Sequence, residues 1–177
     1  MITIICGTNR PSNETQKFVS TYKNLLLSKN QEVKELFLEK IPKDFAFNNS
    51  IYNEDSPVLD EIINNYIEPA SKIVVISPEY NGSFPGILKA FIDCVPPILF
   101  KEKAIALVGI GAGLGGNLRG NDHLTGIFNY LKAFVIPIKV QISKIWSVTD
   151  EYGVLNDDKT IEALEEQIDL LIRFNIN

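Results

Sequence analysis

Cysteine is scarce in this chain. Its two residues, Cys6 and Cys94, are too few for a disulfide framework and lack the spacing of a metal-ligand pair. Both lie in apolar stretches, where a reduced, buried thiol is expected. Histidine is scarcer still: His123 stands alone, with no nucleophile or metal partner at a matching spacing, and is expected at a solvated or packed helix position. No lysine and arginine cluster occurs, and 22 acidic against 17 basic residues leave a net charge of -5, which argues against nucleic acid or an anionic membrane as a partner. No apolar run approaches membrane-spanning length. Repeats, low-complexity tracts and linkers are also missing, so residues 1–177 read as one domain long enough to bury a core. The opening residues "MITIICGTNR" are strand-like and carry no basic leader, so the expected location is the cytoplasm.

What is present is alternation. "ITIIC" (2–6), "EVKELFL" (32–38), "KIVVIS" (72–77), "KAIALVG" (103–109) and "VIPIKVQI" (135–142) read as five strands. Between them, helical spacing appears at 13–28, around Leu59 to Tyr66 after the polar stretch "KDFAFNNSIYNEDSP", from Phe84 to Val95, and at 119–132, with a final helix through "TIEALEEQIDLLIRF". Strands separated by helices pair in parallel through long crossovers. The aliphatic runs at 2–6, 72–77 and 103–109 suit strands covered on both faces. The expected fold is therefore α/β, a doubly wound sheet, in which ligands bind beyond the carboxyl ends of the strands.

Three loops lie there. "GTNRPSNETQ" (7–16) sets short polar side chains beside the free N–H groups of a starting helix. Asn13 followed by Gln16 resembles a capping box, a structural role needing no ligand. Arg10 is costly among hydroxyls unless an anion is near, and a helix N-terminus, hydroxyls and one guanidinium together make a phosphate cradle. The pattern of a nucleoside-triphosphate P-loop is missing, and a monophosphate suits the single arginine.

The second loop lies within "SPEYNGSFPGILKAFID" (77–93). Phe84, Ile87, Leu88, Phe91, Ile92 and Val95 form a buried helical stripe, with Pro85 in its first turn and Pro96 and Pro97 ending it. "PEYNG" has no part in that stripe and holds backbone amides and one aromatic ring at the sheet's edge. In the third loop, "GIGAGLGGNLRG" (109–120), residues 111–116 match G-x-G-x-x-G. The match follows the fourth strand rather than the first, and no acid lies roughly 20 residues later, so it is not a dinucleotide fingerprint. So many glycines instead allow backbone N–H groups to approach a flat, electron-rich ligand edge.

"SPEYNGSFPGILKAFID", "GTNRP" and "GAGLGGN" followed by "NYL" resemble the NADPH-dependent FMN reductase family, a flavodoxin-like group of quinone, azo-dye, chromate and flavin reductases. The resemblance runs from Ile2 to about Val140. It implies a flavodoxin-like, doubly wound five-stranded parallel sheet of order 2-1-3-4-5 with helices on both faces. It further implies that the first loop binds the FMN phosphate through Thr8, Arg10, Ser12, Asn13 and Thr15, that Pro78, Glu79, Tyr80, Asn81 and Gly82 flank the isoalloxazine, and that Gly111, Ala112 and Gly113 approach its polar edge. One departure is "SNET" at 12–15, where relatives often read "NSNS"; Glu14 sets a negative charge near the proposed phosphate. Relatives pair through the helix after the second loop, so a homodimer or homotetramer is implied, with "VPPILF" (95–100) offering apolar surface.

The implied activity is an FMN-dependent oxidoreductase, with NADPH or NADH as co-substrate and a small acceptor such as a quinone, azo compound, metal oxyanion or free flavin. No catalytic side chain is expected, because the flavin carries the chemistry. Two rivals stand beside it: a flavodoxin-type electron carrier, and a non-catalytic dimeric FMN-binding protein that keeps the loops as architecture. The carrier's usual T-x-T-G-x-T phosphate loop differs from "TNRPSNET", which has an arginine and no glycine. Trp146 and Tyr152, late in the chain, are candidates to border the pocket, with core or interface packing the default expectation.

Overall fold

In the computed structural model, which describes residues 1–42, 45 and 56–175, the three aliphatic runs form the middle of a parallel sheet. β1 (Ile2–Cys6), β3 (Lys72–Pro78) and β4 (Ala104–Ile110) lie side by side, with Ile4 opposite Val74 and Val74 opposite Ala106. β2 (Val33–Phe37) flanks β1. The order is β2-β1-β3-β4-β5, the order that the resemblance implies. Most of the polar stretch at 43–57 lies outside the described residues.

Successive strand side chains point to opposite faces, and each face has its own cover. Ile2, Ile4, Cys6, Val74, Ile76, Ala106 and Val108 pack under α1 (Thr15–Ser28) and α5 (Asp158–Arg173). Ile5, Ile73, Val75, Ile105 and Leu107 pack under α2 (Pro57–Ile62), α3 (Gly86–Cys94) and α4 (Leu118–Tyr130). α2 runs on into a π-helical turn, Ile63–Ile67. Helices thus lie on both faces. In the block "VPPILF", Val95 and Phe100 turn into the core, and Ile98 stays 67% exposed.

The fifth strand is not continuous. β5 (Phe134–Val135) pairs with the start of β4 and β6 (Val140–Ile142) with its end. Pro137, between them, has no N–H to give to a ladder. The gap is filled from α5: the Gln167 side-chain amide donates to Leu107 O (3.0 Å) and to Ile138 O (2.7 Å) and accepts from the Tyr22 hydroxyl (3.0 Å). Those two carbonyls, which a continuous strand would have engaged, are satisfied by a buried side chain.

Among the described residues, no helix is long and apolar enough to cross a membrane. All the connections that matter for the site leave the carboxyl ends of β1, β3 and β4.

Candidate functional site

Loop 1 leaves β1 at Gly7, whose N–H donates to Ile76 O at 2.8 Å. Thr8 is fully buried, and its Oγ1 receives the Arg10 N–H (3.2 Å) and lies 2.8 Å from the Tyr80 hydroxyl. Asn13 organises the turn: its Oδ1 accepts from the Gln16 N–H (3.2 Å) and its Nδ2 donates to Arg10 O (2.8 Å). This is half of a capping box, because the Gln16 amide turns to Glu39 instead of back to Asn13. Glu14 is ion-paired to Lys17 at 2.8 Å, which offsets its charge beside the loop. Among the described residues, the N–H groups of Ser12, Asn13, Glu14 and Thr15 donate to no protein group. They are the orphan donors of the α1 N-terminus, with the exposed Arg10 beside them.

Loop 2 begins with the Glu79 N–H on Ile110 O (2.9 Å). Tyr80 and Ser83 then exchange backbone bonds of 2.8 and 3.2 Å around Asn81 (φ 51°) and Gly82 (φ 79°). Two consecutive left-handed residues make a primed turn, for which Asn-Gly is the favoured pair. His123 lies exposed on α4, with Nδ1 2.8 Å from Ser83 Oγ, a helix position of the kind that its isolation suggested.

Loop 3 is held from below. The Gly111 N–H donates to Ile142 O (2.9 Å), and the Lys144 and Ile145 N–H groups donate to Gly113 O (3.0 Å) and Gly111 O (3.3 Å). With its carbonyls engaged on that side, the Ala112 and Gly113 N–H groups donate to no protein group among the described residues. A Cβ on Gly113 would meet nothing within 4 Å. Gly116 (φ 50°) is glycine for a different reason: a Cβ there would lie 2.9 Å from Gln141.

The three loops bound two neighbouring clefts. One, of about 470 Å³, is lined by Arg10 to Thr15, Pro78 to Tyr80, Ile110 to Ala112, Ile145 and Trp146. The other, of about 480 Å³, is lined by Glu79, Asn81, Gly82, Ala112 to Gly115, Leu118 and Arg119. Glu79 and Ala112 line both. The structure therefore gathers Arg10, Ser12, Asn13, Thr15, Pro78, Glu79, Tyr80, Asn81, Gly82, Gly111, Ala112 and Gly113 at one rim. Thr8 sits beneath it, bonded to Tyr80.

An FMN fits this donor set on the structure's own terms. Four free amides and a guanidinium suit a phosphate, two free amides over an open glycine suit the carbonyl edge of a ring, and Tyr80 and Trp146 supply aromatic walls. Of the two late aromatics weighed between pocket and packing, Trp146 lines the cleft. It is 67% exposed on the turn after β6, and its only sequence signal is that it is the single tryptophan. Tyr152 is likewise exposed, at 77%, and does not line the clefts.

Comparison with known proteins points the same way. The family model for NADPH-dependent FMN reductases matches residues 1–147. An NAD(P)H-dependent FMN reductase of Pseudomonas aeruginosa is 32% identical over 131 residues, 71% of this chain and 70% of that protein. An NAD(P)H:quinone oxidoreductase of Solanum tuberosum is 28% identical over 174 residues, 90% of this chain and 84% of that one. Among solved structures, the flavoenzyme NAD(P)H:(acceptor) oxidoreductase FerB of Paracoccus denitrificans superposes with a TM-score of 0.79 at 19% identity, covering 97% of this chain and 94% of that one. An archaeal flavodoxin superposes at 0.64 with 16% identity and 98% coverage of both chains, a likeness of fold alone. With loops, clefts and a match across most of its length in agreement, the chain belongs to the NADPH-dependent FMN reductase family of FMN- and NAD(P)H-dependent oxidoreductases.

Proposed function

We propose that this chain binds FMN across the two clefts and passes electrons from NAD(P)H to a small planar acceptor of the quinone or azo class. The observation that carries this reading is the meeting of two sets of free backbone donors at one rim: the α1 N-terminus beside Arg10, and the Ala112 and Gly113 amides. The first set holds the phosphate, aided by Arg10. The second would take the carbonyl edge of the ring and stabilise the negative charge it gains on reduction, as oxyanion-hole donors do. When bound, the flavin supplies hydride acceptance from a nicotinamide and electron delivery to a second substrate. The protein's residues bind and orient it: Tyr80, pinned through Thr8, and Trp146 bound the ring's surroundings, and Asn81 and Gly82 shape the entrance.

The active form we propose is a homodimer built on the groove between α3 and α4. That groove, of about 700 Å³, is lined by Phe84, Ile92, Val95, Ile127 and Leu131, with Tyr130 86% exposed beside it. Light scattering should return twice the 19.8 kDa of the chain or a multiple of that; a monomer at micromolar concentration would remove this assignment. The proposed location is the cytoplasm, where reduced nicotinamides are supplied.

The deciding experiment is a visible spectrum after incubation with excess FMN and desalting, followed by anaerobic NADPH and then a quinone. A retained flavin band that bleaches with NADPH and recovers with the quinone is expected. A retained band that NADPH leaves unchanged would assign an electron carrier instead. A protein with no affinity for FMN by titration would overturn this reading.

A further inference from the structure

Asn117 occupies the turn into α4, yet its side chain makes no capping bond to that helix. It is fully buried, and its Nδ2 reaches back to loop 2, donating to Ser77 O (3.0 Å) and Pro78 O (3.1 Å) and lying 3.3 Å from Ser77 Oγ. Its backbone N–H donates to Glu79 Oε2 at 3.3 Å. One residue of loop 3 thus holds the last two carbonyls before Glu79 and the Glu79 carboxylate itself.

Several costly features accompany this arrangement. Asn117 is left-handed (φ 61°), following a left-handed Gly116. Among the described residues its Oδ1 is buried without a partner, which is unfavourable for a polar atom. Gly120, a turn later, has to stay without a side chain, because a Cβ would come within 2.1 Å of Asn117 Oδ1. Helix packing alone asks for none of these, and an apolar residue would meet its needs. Backbone strain and orphaned polar atoms persist where the surroundings enforce them, commonly at functional sites.

The position of Glu79 gives these costs a purpose. Its carboxylate lines both clefts and lies 3.5 Å from where a Gly115 Cβ would stand. It is the acidic side chain of loop 2 and shares a cleft with Ala112 and Gly113. A fixed anion near a ring that gains negative charge opposes its reduction, by an amount set by distance. We infer that Asn117 is a positioning residue for the flavin: by locking loop 2 to loop 3 it fixes Glu79 relative to the loop 3 amides, and so sets both FMN affinity and the potential at which bound FMN is reduced. This rests on the reading that FMN occupies these clefts.

Two variants of Asn117 isolate the side chain from the backbone. Asn117→Gly keeps the left-handed conformation and removes the clamp. Asn117→Asp keeps the shape and tolerates that conformation, but turns an acceptor toward the Ser77 and Pro78 carbonyls. Gln167→Ala, a buried amide on the other face of the sheet, controls for general loss of stability. FMN Kd is measured by flavin fluorescence, the potential by equilibration with a reference dye, and folding by thermal melting. A Kd raised at least 10-fold in Asn117→Gly and more in Asn117→Asp, with a displaced potential, is expected, while Gln167→Ala melts early and keeps wild-type values. The exposed Glu79→Gln offers an arm that does not challenge folding: it removes the fixed anion, and the potential of bound FMN should rise. Asn117→Gly with a lowered melting temperature but wild-type Kd and potential would reduce Asn117 to a packing residue and overturn the inference, as would an unmoved potential in Glu79→Gln. A wild type that binds no FMN would remove this inference together with the functional reading; wild-type binding with indifferent variants removes this inference alone.

Discussion

The Tyr80 hydroxyl stands 2.8 Å from Thr8 Oγ1, so the ring at the centre of loop 2 is anchored to loop 1 across 72 positions of sequence. Tyr80→Phe deletes that bond and keeps the ring, and Thr8 retains its bond from the Arg10 N–H. FMN affinity should fall by roughly 0.5–1.5 kcal/mol, the usual net worth of one neutral hydrogen bond. Fluorescence titration reads it directly, and an unchanged Kd would show that the anchor has no bearing on the cofactor.

Arg10 is exposed beside four free amides, and among the described residues no carboxylate lies in ion-pair range of it. Arg10→Ala should weaken FMN by roughly 1.5–3 kcal/mol, as expected for hydrogen bonds to a charged group, with little change in melting temperature. The loss should shrink in high salt, where the exposed charge is screened. Riboflavin, which lacks the phosphate, should bind both proteins equally.

Two glycines separate site from scaffold. A side chain on Gly113 meets nothing within 4 Å, so Gly113→Val should melt near wild type and yet bind and turn over FMN poorly. Gly120→Ala drives a methyl group into the Asn117 side chain and should cost about 1–3 kcal/mol of stability, as overpacking does. Thermal melts paired with FMN titrations on both variants test the division.

Trp146 is 67% exposed, and its removal costs the folded state little packing. Trp146→Ala should therefore keep its melting temperature while FMN Kd rises several-fold, and Trp146→Phe should recover most of the affinity. Equal affinity in Trp146→Ala would take the residue out of the cofactor site.

The two thiols should be inert in the folded protein. Burial pushes Cys6 up to about 12 and Cys94 up to about 11, while an unfolded thiol titrates near the usual 8.5. The thiolate is the nucleophile, so at pH 8 Ellman's reagent should react with the buried Cys6 only as fast as the protein opens, and slowly with the half-buried Cys94. The sign for stability follows: a raised folded value leaves the contribution intact below the unfolded value and removes it as pH climbs toward 11 and 12. Melting temperature should fall between pH 9 and 11, and less steeply in Cys94→Ala. Rapid labelling of two thiols at pH 8 without denaturant would contradict the burial.

The sheet is legible in the sequence because burial on two faces leaves nearly continuous aliphatic runs at 2–6, 72–77 and 103–109, and each alternates its residues between two helical layers. The rim is legible in part, since "PEYNG" stands outside the helical stripe that follows it and Asn13 with Gln16 marks a helix start. What sequence does not disclose is partnership at long range. "VIPIKVQI" reads as one strand because the group that permits its interruption, Gln167, lies 29 positions beyond Ile138. Asn117 stands in the sequence only as the end of "GAGLGGN", and its partners are 40 positions earlier. The place of Trp146 on the cleft depends on a turn whose backbone bonds reach Gly111 and Gly113, and no local pattern reports that.

The interrupted fifth strand bears on how the protein behaves when crowded. A sheet that ends in a long, flat strand presents a rail of unpaired amide groups on which another molecule can crystallise its own strand, and runaway association begins there. Here the last strand is two residues, a four-residue gap that holds Pro137, then three residues, so an incoming strand finds no stretch long enough to zip along. The same Pro137 that shortens the ladder leaves this margin of the molecule unsuited to aggregation.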